Sequence, residues 1–563
     1  MRIDLAYLGH SAVTQTGNAT AVTLAPNLNR ERVFFDAELA DPIRFREAVS
    51  ALHEVVVGDL RFRKRDKSAY LEWKKQEEEA EINLRRELFN RAKKEELARI
   101  SREPVPPGLE DDFRKLHGLY WTARRRWAVE LSQNDPALFR ALVPCDPVVT
   151  VASDAVLFEC FAKDESSYGC LSVSRDSFRG EAAAALGTTN VDYSLALFEH
   201  FQTLRSYRPT RFLVDPSGFE VKVQGAGGWR EEKIDLPPSW LLGFGQLQAA
   251  TTLPFQRLSI PVEAMYSVLA WLKRHREKSG PRSIRFVLTP GAEHQIVLDP
   301  WGVIIPCRGT KYLGEKPLEI KTWGRRRLMV LARLLPLADR IDVALLGSGL
   351  PSIWVVMMGN MRFTLALSGW TSNDWTSGSN LDLLAGSFDP PPAEAVSRVA
   401  GVLQNLRRAS LAQLVSDETG DRNTVSAALH LLARRGQLVF DFGEDVYRYR
   451  EIMPFALSEE LLGPENPELA GAREITARHE VEILRTEPMA ATRVLYVAKA
   501  GGTSCEAILD ADGKVGRAKC TCSYFFKNRL RSGPCRHLIA LQMKTRESSR
   551  AESFLKPLGI RMS

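Results

Sequence analysis

The chain has 563 residues, of which 44% are hydrophobic and 26% charged, and its formal net charge is +7. A chain of this length is too long for one hydrophobic core and predicts about three or four domains, while the composition excludes a disordered or fibrous protein. No apolar run reaches the ~18 residues of a membrane-spanning helix, and the N-terminus lacks the apolar segment of a signal peptide. We therefore expect a cytoplasmic protein with no membrane partner.

Residues 1–60 predict a small α/β segment, and residues 61–140 differ from it sharply. The first part of this segment is rich in charged residues, and three prolines and a glycine at 104–108 end it. From Leu109 to Leu131 an apolar residue then recurs at every third or fourth position. This pattern predicts a helical hairpin arm. Such an arm either docks a protein partner or closes on itself or on the rest of the molecule.

Residues 145–390 predict a mixed α/β body built of hairpins with helices packed on them. Two glycine-rich stretches, 225–228 and 347–349, lack the Gly-Lys-Ser/Thr that a phosphate loop requires. The His-Glu pairs that begin at His53 and His479 lack the second histidine of a metalloprotease helix. An enzyme would therefore need an unrecognised site at which polar groups of the body converge in one pocket.

Consecutive prolines at 390–392 mark a boundary, after which residues 393–455 predict a winged-helix-like module of three helices and a hairpin. The third predicted helix, 422–435, leaves one face outward that could read bases in a major groove. This outward face consists of Asn423, Thr424, Ala427 and His430. The wing tip, 441–445, is acidic and would be repelled by phosphate, which favours a protein-binding or structural module over a DNA reader.

The C-terminal region, residues 470–550, contains a C-x-C pair followed by a C-x-H pair. These four residues are Cys520, Cys522, Cys535 and His537. A turn at 510–513 predicts a hairpin that ends at the first pair, and Pro534 opens a helix that carries the second pair. Three thiolates and one imidazole form a closed tetrahedral set for Zn²⁺ with no position for a catalytic water, so we expect a structural zinc ion. Cys505 lies outside the pattern and is predicted to be buried.

This strand-strand-helix arrangement closely resembles the SWIM zinc finger over about Thr503 to Arg546. The resemblance implies that the four residues named above are the metal ligands, and that the finger binds nucleic acid or protein. It implies no catalytic activity. The overall layout also resembles bacterial SWIM-containing proteins associated with MoxR-type ATPases and von Willebrand A-domain proteins, which implies a bacterial source and an ATPase as a candidate partner.

The positive charge of the chain is concentrated on this finger. Between residues 511 and 550, ten Lys or Arg stand against two acids, a local charge of +8 compared with +7 for the whole chain. Basic and aromatic side chains in alternation can contact phosphates and stack on bases. The candidate contact residues are Lys519, Lys527, Arg529, Arg531, Arg536 and Tyr524. The alternatives are a solvated basic face and a surface for a protein partner.

Taken together, the sequence predicts an α+β multidomain protein with a helical hairpin arm, a mixed α/β body, a winged-helix-like module and a C-terminal zinc finger. Its predicted function is that of a non-catalytic, zinc-binding adaptor that recruits a protein or nucleic-acid target. The first alternative is a nucleic-acid-binding protein that uses the finger and the winged helix. The second is an enzyme with an unrecognised site in the body.

Overall fold

The computed structural model describes residues 4–7, 12–16, 19–24, 33–58, 112, 115–116, 119, 147–191, 201–202, 204–207, 209–214, 231–234, 238–276, 282–370, 374–375, 381–384, 391–416, 418–452, 466–489, 493–510, 513–530 and 532–555. The chain divides into two compact units, residues 1–59 with 144–563 and residues 60–143. In the second unit the four described residues are helical. The predicted hairpin arm otherwise lies outside the described residues. The first unit is a mixed α/β assembly with several sheets.

The secondary structure of the first unit alternates between short strands and helices. The described helices are α1 Pro42–Val56, α2 Pro238–Thr252, α3 Val262–Arg274, α4 Leu381–Leu384, α5 Ala393–Leu406, α6 Leu411–Leu414, α7 Arg422–Arg434, α8 Pro467–Ala477, α9 Ser523–Asn528 and α10 Arg536–Leu555, with 3₁₀ turns at Arg175–Ser177, Arg327–Arg333 and Leu335–Leu337. The described strands are β1 Asp4–Tyr7, β2 Ala12–Thr16, β3 Ala19–Leu24, β4 Phe34–Leu39, β5 Val148–Val151, β6 Ala155–Phe161, β7 Ser167–Ser174, β8 Phe178–Ala185, β9 Gly187–Asn190, β10 Thr210–Val214, β11 Glu231–Ile234, β12 Gln256–Ile260, β13 Ile284–Leu288, β14 His294–Leu298, β15 Val303–Cys307, β16 Leu318–Thr322, β17 Arg340–Leu345, β18 Ser352–Met358, β19 Met361–Leu367, β20 Arg408–Ala409, β21 Leu438–Asp441, β22 Val446–Tyr449, β23 Val481–Met489, β24 Arg493–Ala500, β25 Thr503–Leu509 and β26 Val515–Cys520.

An eight-stranded antiparallel sheet lies at the centre of the first unit, with the order β12-β17-β18-β19-β7-β6-β5-β9. Its inner strands are buried on both faces, because every residue of β6 and all but one residue of β18 are buried. Strands of this kind read as continuous apolar runs rather than as alternating ones. A sheet with two apolar faces needs a covering layer on each side, and at β6 and β7 these layers are α1 and α2.

Aromatic packing fixes α2 on one face of the sheet. The ring of Phe161 in β6 lies 5.4 Å from that of Trp240 and 5.0 Å from that of Phe244, between ring centroids. Both pairs are edge-to-face, the arrangement that aromatic quadrupoles favour. Gly243 lies between the two helix residues, and a Cβ atom there would stand 2.8 Å from Phe161 Cζ. The close approach of α2 to the sheet therefore depends on this glycine.

Helix α1 covers the opposite face. The Asp41 side chain accepts a hydrogen bond from the backbone of the first turn, where Pro42 is tolerated because its missing N–H would have no helical partner. Gly169 of β7 faces this helix, and a Cβ atom there would lie 3.2 Å from Leu52 and from Val55. Side chains of adjacent strand residues point to opposite faces, so β7 contacts both covering helices.

Smaller sheets surround this centre. Their orders are β1-β11, β2-β3-β10-β4-β8, β15-β14-β13-β16, β20-β22-β21 and β23-β24-β25-β26. The last is an antiparallel meander on which α10 packs, and α8 packs in turn against α10. No helix in the described part of the chain has the length and apolar content needed to cross a bilayer.

Helices α5 to α7 and strands β20 to β22 form a module with its own small core, which includes Val399, Leu403, Val425 and Leu429. The capping of these helices follows from the sequence. Ser410 and Gln413 form a reciprocal capping box at α6, and the Asp421 side chain accepts a hydrogen bond from the backbone of Thr424 at the start of α7. These elements coincide with the predicted order of three helices and a hairpin.

The outer face of α7 packs against α2. Asn423 is exposed, but Thr424 and Ala427 are half-buried and His430 is buried. The outward position predicted for His430 is therefore wrong. One turn further along the same face, the side chain of Arg434 comes so close to Gly245 of α2 that a Cβ atom on the glycine would lie 2.3 Å from its Cγ. Periodicity within α7 carries no information about α2, which lies far away in the sequence.

An ion-pair network joins this module to one end of the inner strands of the central sheet. Its members are Arg362, Arg408, Arg448, Asp154, Asp441 and Glu444. Arg448 pairs with Asp154 at 2.6 Å and with Asp441 at 3.0 Å, and Arg362 of β19 pairs with Glu444 at 2.7 Å. Burial would raise the pKa of Asp154, but the hydrogen bonds and charge of Arg448 outweigh it and lower that pKa. Three arginines thus neutralise the three acids, including two of the wing tip.

A second ion pair lies deeper, between Glu159 of β6 and Arg450 just after β22. Their oxygen and nitrogen are 2.6 Å apart, and both side chains are 0% exposed. The Tyr168 hydroxyl donates a hydrogen bond of 2.6 Å to the same carboxylate, and the guanidinium lies 4.2 Å from the ring centroid of Phe244. Burial raises the pKa of Glu159, and the positive charge of Arg450 opposes this shift. The pair therefore holds the module against α2 and the sheet.

We expect Arg450→Met to destabilise the first unit by about 3–5 kcal/mol, because it leaves the Glu159 carboxylate buried without its counter-charge. The double variant Arg450→Met/Glu159→Met should be less damaging than the single one, since no buried charge remains. Chemical denaturation measures both effects. Arg340→Met is the matched control, because Arg340 pairs with Asp342 at the surface and should contribute about 1 kcal/mol or less. A double variant as unstable as the single one would contradict this account.

A pH effect follows from His53, which is buried in α1. Burial first, and the charge of Arg333 second, lower its pKa from 6.5 to about 4. Between pH 6.5 and 4 the unfolded chain binds a proton that the folded chain does not, so the free energy of unfolding decreases as pH falls through this window. In the His53→Gln variant, we expect the free energy of unfolding to fall less over this pH window, by on the order of 2 kcal/mol. The measurement is the urea midpoint at pH 7 and pH 4.5, and an equal pH dependence in both proteins would exclude this role.

Candidate metal centre

The predicted hairpin and helix lie in the β23–β26 sheet region. Strand β25 ends at Leu509, Gly513 adopts φ +74 in the turn, and β26 ends at Cys520. Only glycine adopts such a left-handed turn conformation without steric cost. Cys505 stands opposite Cys520 in the register of the two strands and is buried. The first cysteine pair therefore lies at the C-terminal end of β26, the second strand of the hairpin.

The four predicted ligands converge. The ligand atoms of Cys520, Cys522, Cys535 and His537 all lie within 4.8 Å of one another. The Sγ atom of Cys520 and the Nδ1 atom of His537 are 3.7 Å apart. Two ligand atoms on neighbouring corners of a tetrahedral Zn²⁺ site are about 3.5–3.8 Å apart, given bonds of ~2.3 Å to sulfur and ~2.0 Å to nitrogen. The donor set and its spacing thus fit a four-coordinate metal ion, with Nδ1 as the imidazole donor.

Two helices begin at this cluster. Cys522 is the N-cap of α9, and its Sγ accepts a hydrogen bond of 3.4 Å from the backbone N–H of Phe525. Cys535 immediately precedes α10, and its carbonyl accepts the N–H groups of Leu538 and Ile539. Free N–H groups and the helix dipole at an N-terminus stabilise negative charge. Two of the thiolates that a metal needs are therefore favoured by the backbone itself.

The thiol groups interact strongly with each other. A hydrogen bond from Cys535 first, and one from His537 further, lower the pKa of Cys520 to about 4, against the raising effect of burial. The same contact with Cys520, together with burial, raises the pKa of Cys535 far above the usual value. Three thiols at this distance cannot all ionise without a cation between them. A divalent ion supplies that charge, and binding releases the remaining protons.

Arg536, which lies between Cys535 and His537, is held by a contact with the neighbouring helix α8. Its backbone N–H and its guanidinium both donate hydrogen bonds of 2.8 Å to the carboxylate of Glu468 in α8. Burial opposes the effect, but these hydrogen bonds lower the pKa of Glu468. Gly471 leaves room for the guanidinium, because a Cβ atom there would lie 2.8 Å from Arg536 Cζ. Arg536 lies between two ligands, so this contact helps to fix the start of α10.

The other predicted contact residues differ in their surroundings. Lys519 is exposed and pairs with Glu506 at 3.0 Å. Lys527 and Arg529 are exposed, and the Arg529 guanidinium lies 5.9 Å from the ring centroid of Phe526. Tyr524 is half-buried and donates a hydrogen bond to the Ser532 carbonyl, while Arg531 lies outside the described residues. The exposed cations therefore lie around α9.

Sequence reasoning did not predict α9, and it placed Phe526 only among the aromatic residues of the basic patch without distinguishing it from its neighbours. Phe526 is 74% exposed, whereas Phe525 beside it is buried. The signal was available, since Cys522 precedes a short run able to form one helical turn, and adjacent helical positions face different directions. Glu468 could not be found in this way, because it is 68 residues from Arg536 in the sequence.

Comparisons with known proteins assign no family. No family model matches the chain, and no curated protein matches it. Among solved structures, the PCNA2–PCNA3 complex from Sulfolobus tokodaii is similar at 10% identity over 40% of this chain and 90% of that chain, with a TM-score of 0.27. The proliferating cellular nuclear antigen of Entamoeba histolytica is similar at 13% identity over 40% and 89%, with a TM-score of 0.28. Likenesses this low carry no argument about fold or function.

We expect the purified chain to contain about one equivalent of zinc, and Cys535→Ala to contain almost none, because removing one thiolate opens the closed ligand set. Inductively coupled plasma mass spectrometry measures the metal content. Cys307→Ala is the matched control, since Cys307 is a buried cysteine of β15 outside the cluster. Equal zinc loss in both variants would show that folding, and not ligation, determines the metal content.

Proposed function

We propose that this protein is a non-catalytic, zinc-dependent adaptor whose C-terminal finger recruits a macromolecular target. The observation that carries the proposal is the convergence of three cysteines and one histidine beside an exposed aromatic residue, Phe526, that is followed by two exposed cations. A metal ion with four protein ligands has no open position for water or substrate. Its role would be to hold α9 and α10 in place, and the surface of α9 would make the contact.

In this proposal the finger is of the SWIM type. The ligand order, the hairpin before the first pair and the helix that starts at the second pair support it. The finger would also be larger than the strand-strand-helix unit, because β23, β24 and α8 extend the same sheet and helix layer. We further propose that the segment from α5 to β22 is a winged helix. Its three helices and its sheet of order β20-β22-β21 support that assignment.

The proposed winged helix would serve as a structural part and not as a DNA reader. Helix α7 packs against α2, so its outer face has limited access to a major groove. The wing tip is engaged as well, because Asp441 and Glu444 pair with arginines. A target would therefore meet the finger and not the wing.

The second candidate is a nucleic-acid-binding protein that uses the finger alone. Phe526 is 74% exposed, and Lys527 and Arg529, which follow it in the sequence, are exposed as well. An exposed ring with cations nearby can stack on a base while the cations contact phosphates. The same surface fits an acidic protein segment, including one presented by an ATPase partner in a bacterial cytoplasm.

The triple variant Phe526→Ala/Lys527→Ala/Arg529→Ala separates these candidates. If the target is nucleic acid, we expect weaker binding of a fluorescent single-stranded oligonucleotide and a salt slope, d log K/d log [salt], smaller in magnitude by about 1.4, since two phosphate contacts are lost at about 0.7 each. The measurement is fluorescence anisotropy across a salt series.

The control for this experiment is Arg485→Ala, which removes an exposed arginine of β23 and should leave binding unchanged. Wild-type protein that carries zinc but does not bind the oligonucleotide at low salt would favour the protein adaptor. Zinc-free wild-type protein would contradict the proposed function altogether.

A further inference from the structure

A cleft forms where the body, the α5–β22 module and the β23–β26 sheet, called here the finger sheet, meet. Its volume is about 330 Å³, and its walls come from all three parts. The lining residues are Thr251, Leu253, Pro254, Phe255, Leu411, Arg422, Ser426, Tyr447, Arg493, Asp510 and Lys514. Pockets for small molecules commonly begin at about 300 Å³, so the cleft is large enough for a small metabolite.

The charge of the lining favours an anion. Arg422, Arg493 and Lys514 stand against one acid, Asp510. The carboxylate of Asp510 accepts the backbone N–H of Lys514 at 2.8 Å and so takes part in the hairpin turn. In the described part of the chain, no carboxylate forms an ion pair with Arg493. Two arginines and one lysine line the same cleft, and guanidinium groups are planar, bidentate donors that match a phosphate group.

Burial strengthens this electrostatic preference. Lys514 is only 7% exposed, so its charge acts across a wall with a lower effective dielectric constant than bulk water. The hydroxyl of Ser426, in the first turns of α7, adds a neutral donor on the same side as Arg422. Leu253, Pro254 and Phe255 form an apolar wall that no inorganic anion needs.

We propose that this cleft binds a small phosphate-bearing metabolite with an apolar or aromatic portion, about the size of a nucleoside monophosphate. The phosphate contacts the cations of α7 and of the finger sheet, and the remainder of the ligand lies against the wall at Phe255. Because three parts of the chain line the cleft, the ligand also links the finger sheet to the module and the body. This site is separate from the metal centre and from the surface of α9.

The test is isothermal titration calorimetry on the full-length, zinc-loaded protein with three probes: AMP, inorganic phosphate and adenosine. We expect AMP to bind with one site per chain, phosphate to bind more weakly, and adenosine not to bind measurably. Arg493→Met should weaken AMP binding by about 10- to 100-fold, the loss expected for a charge-assisted hydrogen bond to phosphate. Arg493 is exposed, so this variant should fold, and zinc content and circular dichroism check that it does.

Two controls assign the effect to the cleft. Arg485→Met removes an exposed arginine of the same sheet that does not line the cleft, and Phe526→Ala alters the proposed target surface; both should bind AMP like the wild type. The proposal is overturned if neither AMP nor phosphate binds at millimolar concentration. It is also overturned if adenosine binds as tightly as AMP, or if Arg493→Met leaves the affinity of AMP unchanged.

Discussion

The buried ion pair between Glu159 and Arg450 is the interaction on which the arrangement of the first unit depends. A carboxylate in the middle of a sheet face is strongly unfavourable unless a cation and further donors satisfy it. Arg450 and the Tyr168 hydroxyl meet that need. The cation comes from the end of β22, some 290 residues after Glu159 in the sequence, so the sheet and the α5–β22 module must be in one particular register to each other. Apolar contacts alone allow more sliding, since they are not directional.

The ion-pair network of Arg362, Arg408 and Arg448 at one end of the inner strands extends the same constraint. Arg448 lies two residues before Arg450 and is nearly as deeply buried, and it pairs with acids of both parts. Strand alternation places both arginines on the same face of β22 and its continuation. The acidic residues Asp441 and Glu444, which the sequence suggests are exposed on the wing, therefore attach the module to the central sheet through Arg362. The wing and the outer face of α7 are thus engaged in contacts within the first unit, whereas Phe526 of α9 is exposed.

The candidate metal centre follows a comparable logic on a smaller scale. Its cysteines and histidine come from the end of a strand, the N-cap of a short helix and the start of a long one, and each position supplies local backbone donors or a fixed direction. Glu468 then holds Arg536, the residue between the two last ligands, from a neighbouring helix. In metal sites generally, supporting contacts of this kind help to orient the residues that bind the metal. The finger is accordingly part of a sheet-and-helix layer and not an isolated unit.

The sequence alone identified the four residues that the fold brings together at the candidate metal centre, because the C-x-C and C-x-H spacing and the turn residues before the first pair act over short distances. It also determined the helices α5 to α7 and the hairpin β21–β22, since capping residues and apolar periodicity are local properties. Only the tertiary structure decided which faces stay accessible. His430 is buried on the face of α7 that packs against α2, Arg536 is bound by Glu468, and the acids of the wing tip are paired with Arg362 and Arg408 of other segments as well as with the nearby Arg448. Each of these outcomes depends on a partner far away in the sequence, and periodicity in one segment cannot report which segment will pack against it.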